Sequence, residues 1–351
     1  MTDKNFQKPT EFDDPYDRGF ADKLYEDFPC EPQYVVFDPN CTTQGIPTRK
    51  QPKKHRLLKG ILIFLFVFLL LLAFLTAFLY FYSDCPNDGK NHKSNVSTIL
   101  IAGTDESGLR TDTLMLLCAD REQKTINLMS IPRDTKVNSS YYPQKINLAY
   151  HMNGADENGM YWLMDYVRQC VGFRPDGYVL LDLDCFTELV DLFGGVEFEV
   201  PCRMQYSDSS QGLYIDLQPG LQTLNGKDAM GLVRFRSGYE MADLERVNVQ
   251  RDFMMTAFAQ WASPTNATKI FSALDILEEY SITDLSSRNL LWFAWSLLIC
   301  GTDDMYMTTI PYDLSGEYVC IRANDEYLEL LNTYFNPYKT EITYAELNIA
   351  R

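Results

Sequence analysis

The longest apolar run in the chain extends from residue 60 to residue 82, GILIFLFVFLLLLAFLTAFLYFY, 23 residues without a charge. At ~1.5 Å per helical residue such a run covers roughly 30 Å, the thickness of a bilayer's hydrocarbon core. It predicts a transmembrane helix over residues 57 to 82. A cleaved signal peptide fits less well, because a long charged segment precedes the run and Ser83, Asp84 and Cys85 offer no small-residue cleavage site.

After a polar linker at 83 to 95, SDCPNDGKNHKSN, come three apolar runs of strand length at 97 to 103, 113 to 120 and 125 to 131. Helical spacing follows at 156 to 170, then a strand at 177 to 183 and a helix at 184 to 193, ended by Gly194 and Gly195. VEFEV at 196 to 200 alternates as a strand. A polar loop leads to predicted helices at 226 to 233, 243 to 262, 267 to 280 and 286 to 299. Strands at MYMTTI and EYVCI and a helix at 324 to 335 complete the pattern. Strands interleaved with helices predict an α/β protein: a three-layer α/β/α domain around a central mixed sheet, spanning residues 96 to 351 and preceded by one transmembrane helix.

Charge adds topology. Residues 1 to 48 hold ten Asp or Glu and four Lys or Arg without a sustained apolar period, and with the basic stretch to residue 56 they read as a disordered tail. Lys or Arg stands at 49, 50, 53, 54, 56 and 59, immediately before the apolar run. By the positive-inside rule the N-terminus is cytoplasmic and the domain extracellular, giving a single-pass protein of the cell membrane. The formal net charge is −17, and because acidic and basic residues balance before residue 83, the outer domain carries all of it. Nonspecific nucleic-acid binding is excluded on that ground, so a site for a polyanion has to concentrate cations locally.

Seven of the nine cysteines, at 85, 118, 170, 185, 202, 300 and 320, follow the apolar run and are external. The odd number defines no disulfide framework, although Cys300 with Cys320 and Cys170 with Cys202 are candidate bridges. Cys118 and Cys185 read as small buried hydrophobes. With His only at 55, 92 and 151 and no CxxC pair, a zinc site is not expected.

Candidate chemistry gathers at predicted strand ends, where layered α/β domains collect ligands. GTDESGLRTDTLM brings Asp105, Arg110 and Asp112 into one turn; the two carboxylates suit Mg²⁺, which takes one or two carboxylates and leaves its other positions to water and phosphate oxygens. Capping and turn roles compete for each Asp. SIPRDT places Arg133 and Asp134 beyond the third strand, and Lys145 and Asn147 follow in QKIN. VRFRSG holds Arg234 and Arg236, and DLERVNVQRDF holds Asp243, Arg246, Gln250 and Arg251. On a helix Asp243, Arg246 and Gln250 share a face with Met254 and Trp261, and a charge on an inward face is costly unless it is paired or lines a site. Arg110, Arg133, Arg234, Arg236 and Arg246 together suggest a polyphosphate site, because guanidinium groups stay charged and bind phosphate oxygens in a fork. Arg121 and Arg251 project elsewhere, which favours structural Arg–Asp pairs, and Arg251 is carried as a further substrate contact beside Asp134, Lys145 and Asn147.

The order GTDxxxxRTDT, SIPRDT, KIN, LxxLFGGVEFEVP, GLQTLNGKDAM, RFR and DxxRxxxQR resembles the LytR-CpsA-Psr family of bacterial envelope phosphotransferases, over residues 97 to 262. The family commonly has Ser where Thr111 stands and often a further Arg where Val249 stands, so this chain lacks one cation of that pattern. The resemblance implies transfer of a phosphate-linked glycopolymer from a polyprenyl-pyrophosphate carrier to a sugar hydroxyl of peptidoglycan. Asp105 and Asp112 would hold Mg²⁺, the arginines with Lys145 would cradle the pyrophosphate, and Gln250 would bond a phosphate or the acceptor. Asp243 would act as general base or orient Arg246. A prenyl tail needs an apolar groove, for which the runs at 160 to 167 and 186 to 200 are candidates. Two other readings are a hydrolase using water as acceptor and a noncatalytic lipid-binding or sensory protein.

Overall fold

The computed structural model describes residues 54–87, 89, 91–105, 107–209, 212–235, 242–301 and 305–350, without the side chains of 54–57, 242–247 and 264. The acidic tail and Arg236 lie outside the described residues. Two compact units divide at residue 64, Met1–Phe64 and Leu65–Arg351. Described residues of the first belong to the opening turns of α1 (Lys54–Tyr82). Within α1, Leu58–Tyr82 is long and apolar enough to cross a membrane, and none of its most apolar stretch is buried.

In the second unit β1 (Val96–Thr104), β2 (Thr111–Asp120) and β3 (Thr125–Ser130) form an antiparallel meander. The short α2 (Ala149–Met152) and α3 (Glu157–Val171) lead to β4 (Gly177–Leu181), parallel to β1. Next come α4 (Leu183–Phe193), β5 (Val196–Val200), β6 (Met204–Asp208), β7 (Leu213–Leu217) and β8 (Gly220–Leu224). α5 (Gly226–Arg234), α6 (Ala242–Trp261), α7 (Ile270–Tyr280), β9 (Ser281–Thr283) and α8 (Ser287–Cys300) follow. The unit closes with β10 (Tyr306–Thr309), β11 (Tyr312–Ser315), β12 (Tyr318–Ile321) and α9 (Asp325–Tyr334). The main sheet runs β10-β3-β2-β1-β4-β9 and is mixed, since β3–β10 and β1–β4 are parallel and its other pairings antiparallel.

Alternation along the strands builds the three layers, because successive side chains leave a strand on opposite faces. Leu100, Ala102, Leu114, Leu116 and Leu180 pack with residues of α3 and α9 in one core. Their neighbours Ile99, Met115, Leu117 and Val179 pack with Trp292 and Phe293 of α8, and Met254 and Phe258 of α6 join them. A third core lies between α4, α5, α6, the antiparallel pair β5–β8 and the hairpin β6–β7 that it encloses in sequence. The α/β/α expectation is met.

Local signals set two of the helix ends, of which the glycine pair was the expected one. Asp156 caps α3 by accepting from the amides of Asn158 and Gly159, which satisfies donors no helical carbonyl reaches. Gly194 and Gly195, at φ of +92° and +88°, end α4 and turn the chain into β5. At Gly195 a side chain would also meet the Leu224 carbonyl at 2.8 Å, so glycine is required twice over.

Three expectations are corrected. Neither candidate bridge forms, since Cys170, Cys300 and Cys320 are free thiols: Cys170 lies in the α3 core and Cys202 beside the α5–α6 core, while Cys300 and Cys320 sit on α8 and β12. The polar loop after residue 200 contains a hairpin, with Met204, Ile215 and Leu217 buried and the residues between them turned outward. Arg121 makes no described pair with an Asp. It donates to the Ser296 hydroxyl at 2.9 Å and the Trp292 carbonyl at 2.6 Å, over the Trp292 ring. Cys118 and Cys185 are buried as expected; burial raises both thiols, that of Cys185 to about 12, so neither forms a thiolate readily.

Candidate active site

The β1–β2 turn is built on Asp105. Its Oδ1 accepts from the Ser107 hydroxyl at 2.6 Å and from the amides of Leu109 and Arg110, both at 3.2 Å, while Oδ2 accepts from Arg110 Nε at 3.0 Å. Burial would raise this carboxyl, but those donors outweigh it and hold it below the usual carboxylate range. Arg110 is thereby folded back over the turn, with half of its side chain exposed.

Asp112, at the start of β2, accepts from Arg133 Nη1 at 3.2 Å. Arg133 Nε lies 3.7 Å from Asp134, and Asp134 meets Lys145 Nζ at 3.2 Å. Lys145 also reaches Glu317 at 3.3 Å. Burial would lower the Lys145 ammonium, but its two carboxylate partners raise it, so it stays charged. Asn147 is buried; its amide donates to the Arg133 carbonyl at 3.2 Å, which fixes the main chain beneath Arg133.

Two spaces meet here. A cavity of about 400 Å³ is lined by Asp105, Arg110, Asp112, Arg234 and Gln250, with apolar walls that include Ile101, Leu181, Phe186 and Met254. A narrow crevice shares Asp112, Thr113 and Gln250 with it and adds Arg133, Asp134 and Val319. Gln250 Nε2 donates to the Val233 carbonyl at 2.8 Å, which ties α6 to the last turn of α5 where Arg234 sits. An apolar cavity of about 200 Å³ lies between the sheet and helices α4, α6, α7 and α8. Ile101, Leu181, Phe186 and Met254 line both it and the larger cavity, so the charged chamber adjoins an apolar one.

Of the candidates from sequence, Asp105, Arg110, Asp112, Arg133, Asp134, Arg234 and Gln250 therefore surround two adjoining spaces, and Lys145 and Asn147 back them. Arg251 pairs with Asp252 at 2.9 Å and lines neither space. Asp243 and Arg246 lie in α6 with side chains outside the described residues. Val249 packs against the third core. Phe186, Leu189 and Phe193, from the run at 186 to 200, line the apolar cavity, whereas Met160, Leu163, Met164 and Val167 pack on the other sheet face.

Asp182, Tyr206 and Met230 line the larger cavity without having been singled out in the sequence. Asp182 caps α4, accepting from the Cys185 amide at 2.7 Å. Tyr206 comes from the unexpected hairpin, whose signal was the alternation in MQYSD and LYIDL.

Among the described residues no group of three or more His, Cys, Asp or Glu gathers as a metal cage. Asp105 and Asp112 lining one roomy cavity nevertheless fit Mg²⁺, which uses one or two carboxylates and completes its shell with water and phosphate oxygens.

The site is thus a cluster of cations and carboxylates at the strand ends of an α/β/α domain, beside an apolar chamber. Residues 83–342 match the LytR_cpsA_psr family, and the chain belongs to it. It is 26% identical over 263 residues to the polyisoprenyl-teichoic acid–peptidoglycan teichoic acid transferase TagV of Bacillus subtilis (strain 168), a match covering 72% of this chain and 63% of TagV. The matched part thus spans less than two thirds of that relative. Its fold is similar to the crystal structure of B. subtilis TagV (TM-score 0.55, 22% identity, 68% of this chain and 95% of that one). It is also similar to TagT bound to LI-WTA (TM-score 0.52, 21% identity, 68% and 88%).

Proposed function

We propose that this protein transfers a phosphate-linked glycopolymer from a polyprenyl-pyrophosphate carrier to a sugar hydroxyl of peptidoglycan, at the outer face of the membrane in which α1 anchors it with its N-terminus in the cytoplasm. One observation carries the reading: the charged cavity and the apolar cavity share Ile101, Leu181, Phe186 and Met254, which suits a ligand with a pyrophosphate head and a hydrocarbon tail. The names of TagV as a teichoic acid transferase and of TagT bound to LI-WTA support the same substrate class.

In this reading the acceptor oxygen bonds to the phosphorus that bears the glycopolymer. The anhydride P–O bond breaks, its electron pair leaves on polyprenyl phosphate, and the hydroxyl proton is released. Such a transfer calls mainly for positioning and charge stabilisation. Arg110, Arg133, Arg234, Arg236 and Arg246 bind the phosphate oxygens, with Lys145 holding Asp134 and thereby Arg133 in place. Gln250 positions Arg234 through Val233. Asp243, one helical turn before Arg246, orients that guanidinium. Asp105 and Asp112 would hold Mg²⁺, which would supply further neutralisation of the pyrophosphate.

The test is reconstitution of the full chain in nanodiscs with a polyprenyl-pyrophosphate-linked glycopolymer, with and without peptidoglycan fragments. The expected product joins polymer to fragment and requires both the fragment and a divalent cation. Release of polymer phosphate independent of fragments would assign a hydrolase instead. Lipid binding without turnover would assign a carrier or sensor. Arg246→Ala is expected to abolish transfer while the chain still folds.

A further inference from the structure

The crevice departs from the charged cavity toward the other face of the sheet. It shares Asp112, Thr113 and Gln250 with the cavity, but its walls include Leu114 and Ile131, which belong to the α3–α9 core rather than to the α8 side. Val319 of β12 closes it, held by Val319 N to the Asp134 carbonyl at 3.0 Å and Lys136 N to the Val319 carbonyl at 2.8 Å. The next two residues back along the chain are Tyr318 and Glu317. Tyr318 has Lys136 Nζ and Lys145 Nζ at 5.6 and 5.8 Å from its ring centroid, and Glu317 pairs with Lys145. Tyr142 lies in the loop between the bridged residues Lys136 and Lys145, which both flank the Tyr318 ring, and that loop is closed by Val137 N to the Gln144 carbonyl at 3.0 Å. Tyr142 is 79% exposed, and the nearby Tyr318 and Glu317 raise its phenol above its ordinary value. Neither ring belongs to a hydrophobic core.

We infer that Tyr142 and Tyr318, flanked by Glu317, form a stacking site for one pyranose ring of the acceptor glycan; this rests on the transfer reading above. A pyranose has an apolar C–H face and a rim of hydroxyls. A tyrosine offers a matching apolar face with a polar tip, and the Glu317 carboxylate and Lys136 ammonium supply directional partners for the rim. Position gives the second argument. In a phosphoryl transfer the attacking and leaving oxygens lie roughly in line across phosphorus. The lipid leaving group belongs to the apolar chamber on the α8 side, so the attacking hydroxyl has to come from the opposite side. Tyr318 and Tyr142 stand beside the crevice, joined to it through Lys145, which pairs with both Asp134 and Glu317 and lies by the Tyr318 ring.

The test uses the full chain in nanodiscs and measures KM for a peptidoglycan fragment and for the lipid-linked donor separately, in Tyr142→Ala, Tyr318→Ala and the two Tyr→Phe variants. Each Ala variant is expected to raise the acceptor KM about tenfold, which ~1.4 kcal/mol of stacking corresponds to, with donor KM unchanged. The Phe variants, which keep the ring, stay near wild type. An acceptor KM within about twofold of wild type in both Ala variants overturns the site. A rise in donor KM alone also overturns it, since the rings would then hold sugars of the donor. Calorimetric binding of the same fragment without donor separates the two proposals. If wild type binds it and Tyr142→Ala does not, the site stands even if transfer fails. If the variant binds as tightly as wild type, the site is wrong whatever the transfer assay reads.

Discussion

Arg133, three residues beyond β3, donates through Nη1 to Oδ2 of Asp112 in β2 at 3.2 Å, with both side chains about one-fifth exposed. This pair joins the turn that carries the candidate metal carboxylates to the crevice that leads away from it. Arg133→Ala is expected to lower kcat by about 10²–10³, the effect of removing one donor aimed at developing charge. Stability should change by less than ~1 kcal/mol, because a partly exposed ion pair contributes little. Arg133→Lys should recover only part of the activity, since an ammonium lacks the fork that spans Asp112 and Asp134. Wild-type turnover in the Ala variant, measured with an unchanged urea midpoint, removes Arg133 from the site.

The Asp105 turn makes a prediction about pH. Burial raises this carboxyl, yet its bonds to Ser107, Arg110 and Leu109 leave it below the ordinary value. A depressed carboxylate contributes stability that is complete above its unfolded value of about 3.9 and is lost as pH falls through the lower folded value. Hydrogen-exchange protection of the Leu109 and Arg110 amides, which donate to Asp105, should therefore hold at about pH 5 and decline toward about pH 2. In Asp105→Asn that decline should vanish. Unchanged protection in the wild-type chain across this range would show that the carboxylate does not hold the turn.

Much of this architecture was legible because its signals are local. The runs at 97 to 103 and 113 to 120 lie within β1 and β2, and the glycine pair ends α4 as read. Asp105, Asp112 and Arg133 were legible as a group because each sits at a strand end, where the sheet itself brings them together. Other parts have no such local cause. GLQTL has few apolar residues and predicts loop, whereas β8 owes its strand character to pairing with β5. The helix expected from residue 267 begins as a 3-10 turn, Pro264–Lys269, before α7. Tyr206 and Asp182 reach the cavity from elements separated in sequence, and no spacing rule links them to Asp105. Cysteine spacing failed for the same reason: pairing depends on which layer each residue enters.

Met254 lies where the charged and apolar chambers adjoin. Met254→Trp fills that neck with a larger ring and should weaken binding of long-chain polyprenyl phosphate at least about tenfold, while inorganic pyrophosphate binds as before. Overpacking of this kind costs about 1–3 kcal/mol, so thermal unfolding should be followed alongside. Met254→Ala, which widens the neck, serves as the control and should keep lipid binding. Equal lipid affinity in the Trp variant and wild type would mean that the tail does not pass Met254.

His92 and Asp176 form a pair away from the cavity, with Nε2 to Oδ1 at 3.0 Å and side chains 4% and 1% exposed. The other ring nitrogen, Nδ1, lies 2.9 Å from the Lys93 carbonyl. Asp176 Oδ2 accepts from the Thr98 amide at 2.8 Å and its hydroxyl at 2.9 Å. The carboxylate thus joins the linker, β1 and the approach to β4 below the sheet. Removing one partner of a buried charged pair leaves the other uncompensated, at a cost of about 3–5 kcal/mol. His92→Ala is expected to lose about that much in urea unfolding of the full chain in detergent. His92→Ala combined with Asp176→Asn should recover part of the loss, since the amide carries no charge to strand. A single variant as stable as wild type would mean that the Thr98 amide and hydroxyl and the Ser97 hydroxyl, which also donate to Asp176, suffice, and that the histidine is not what fixes the linker to the sheet.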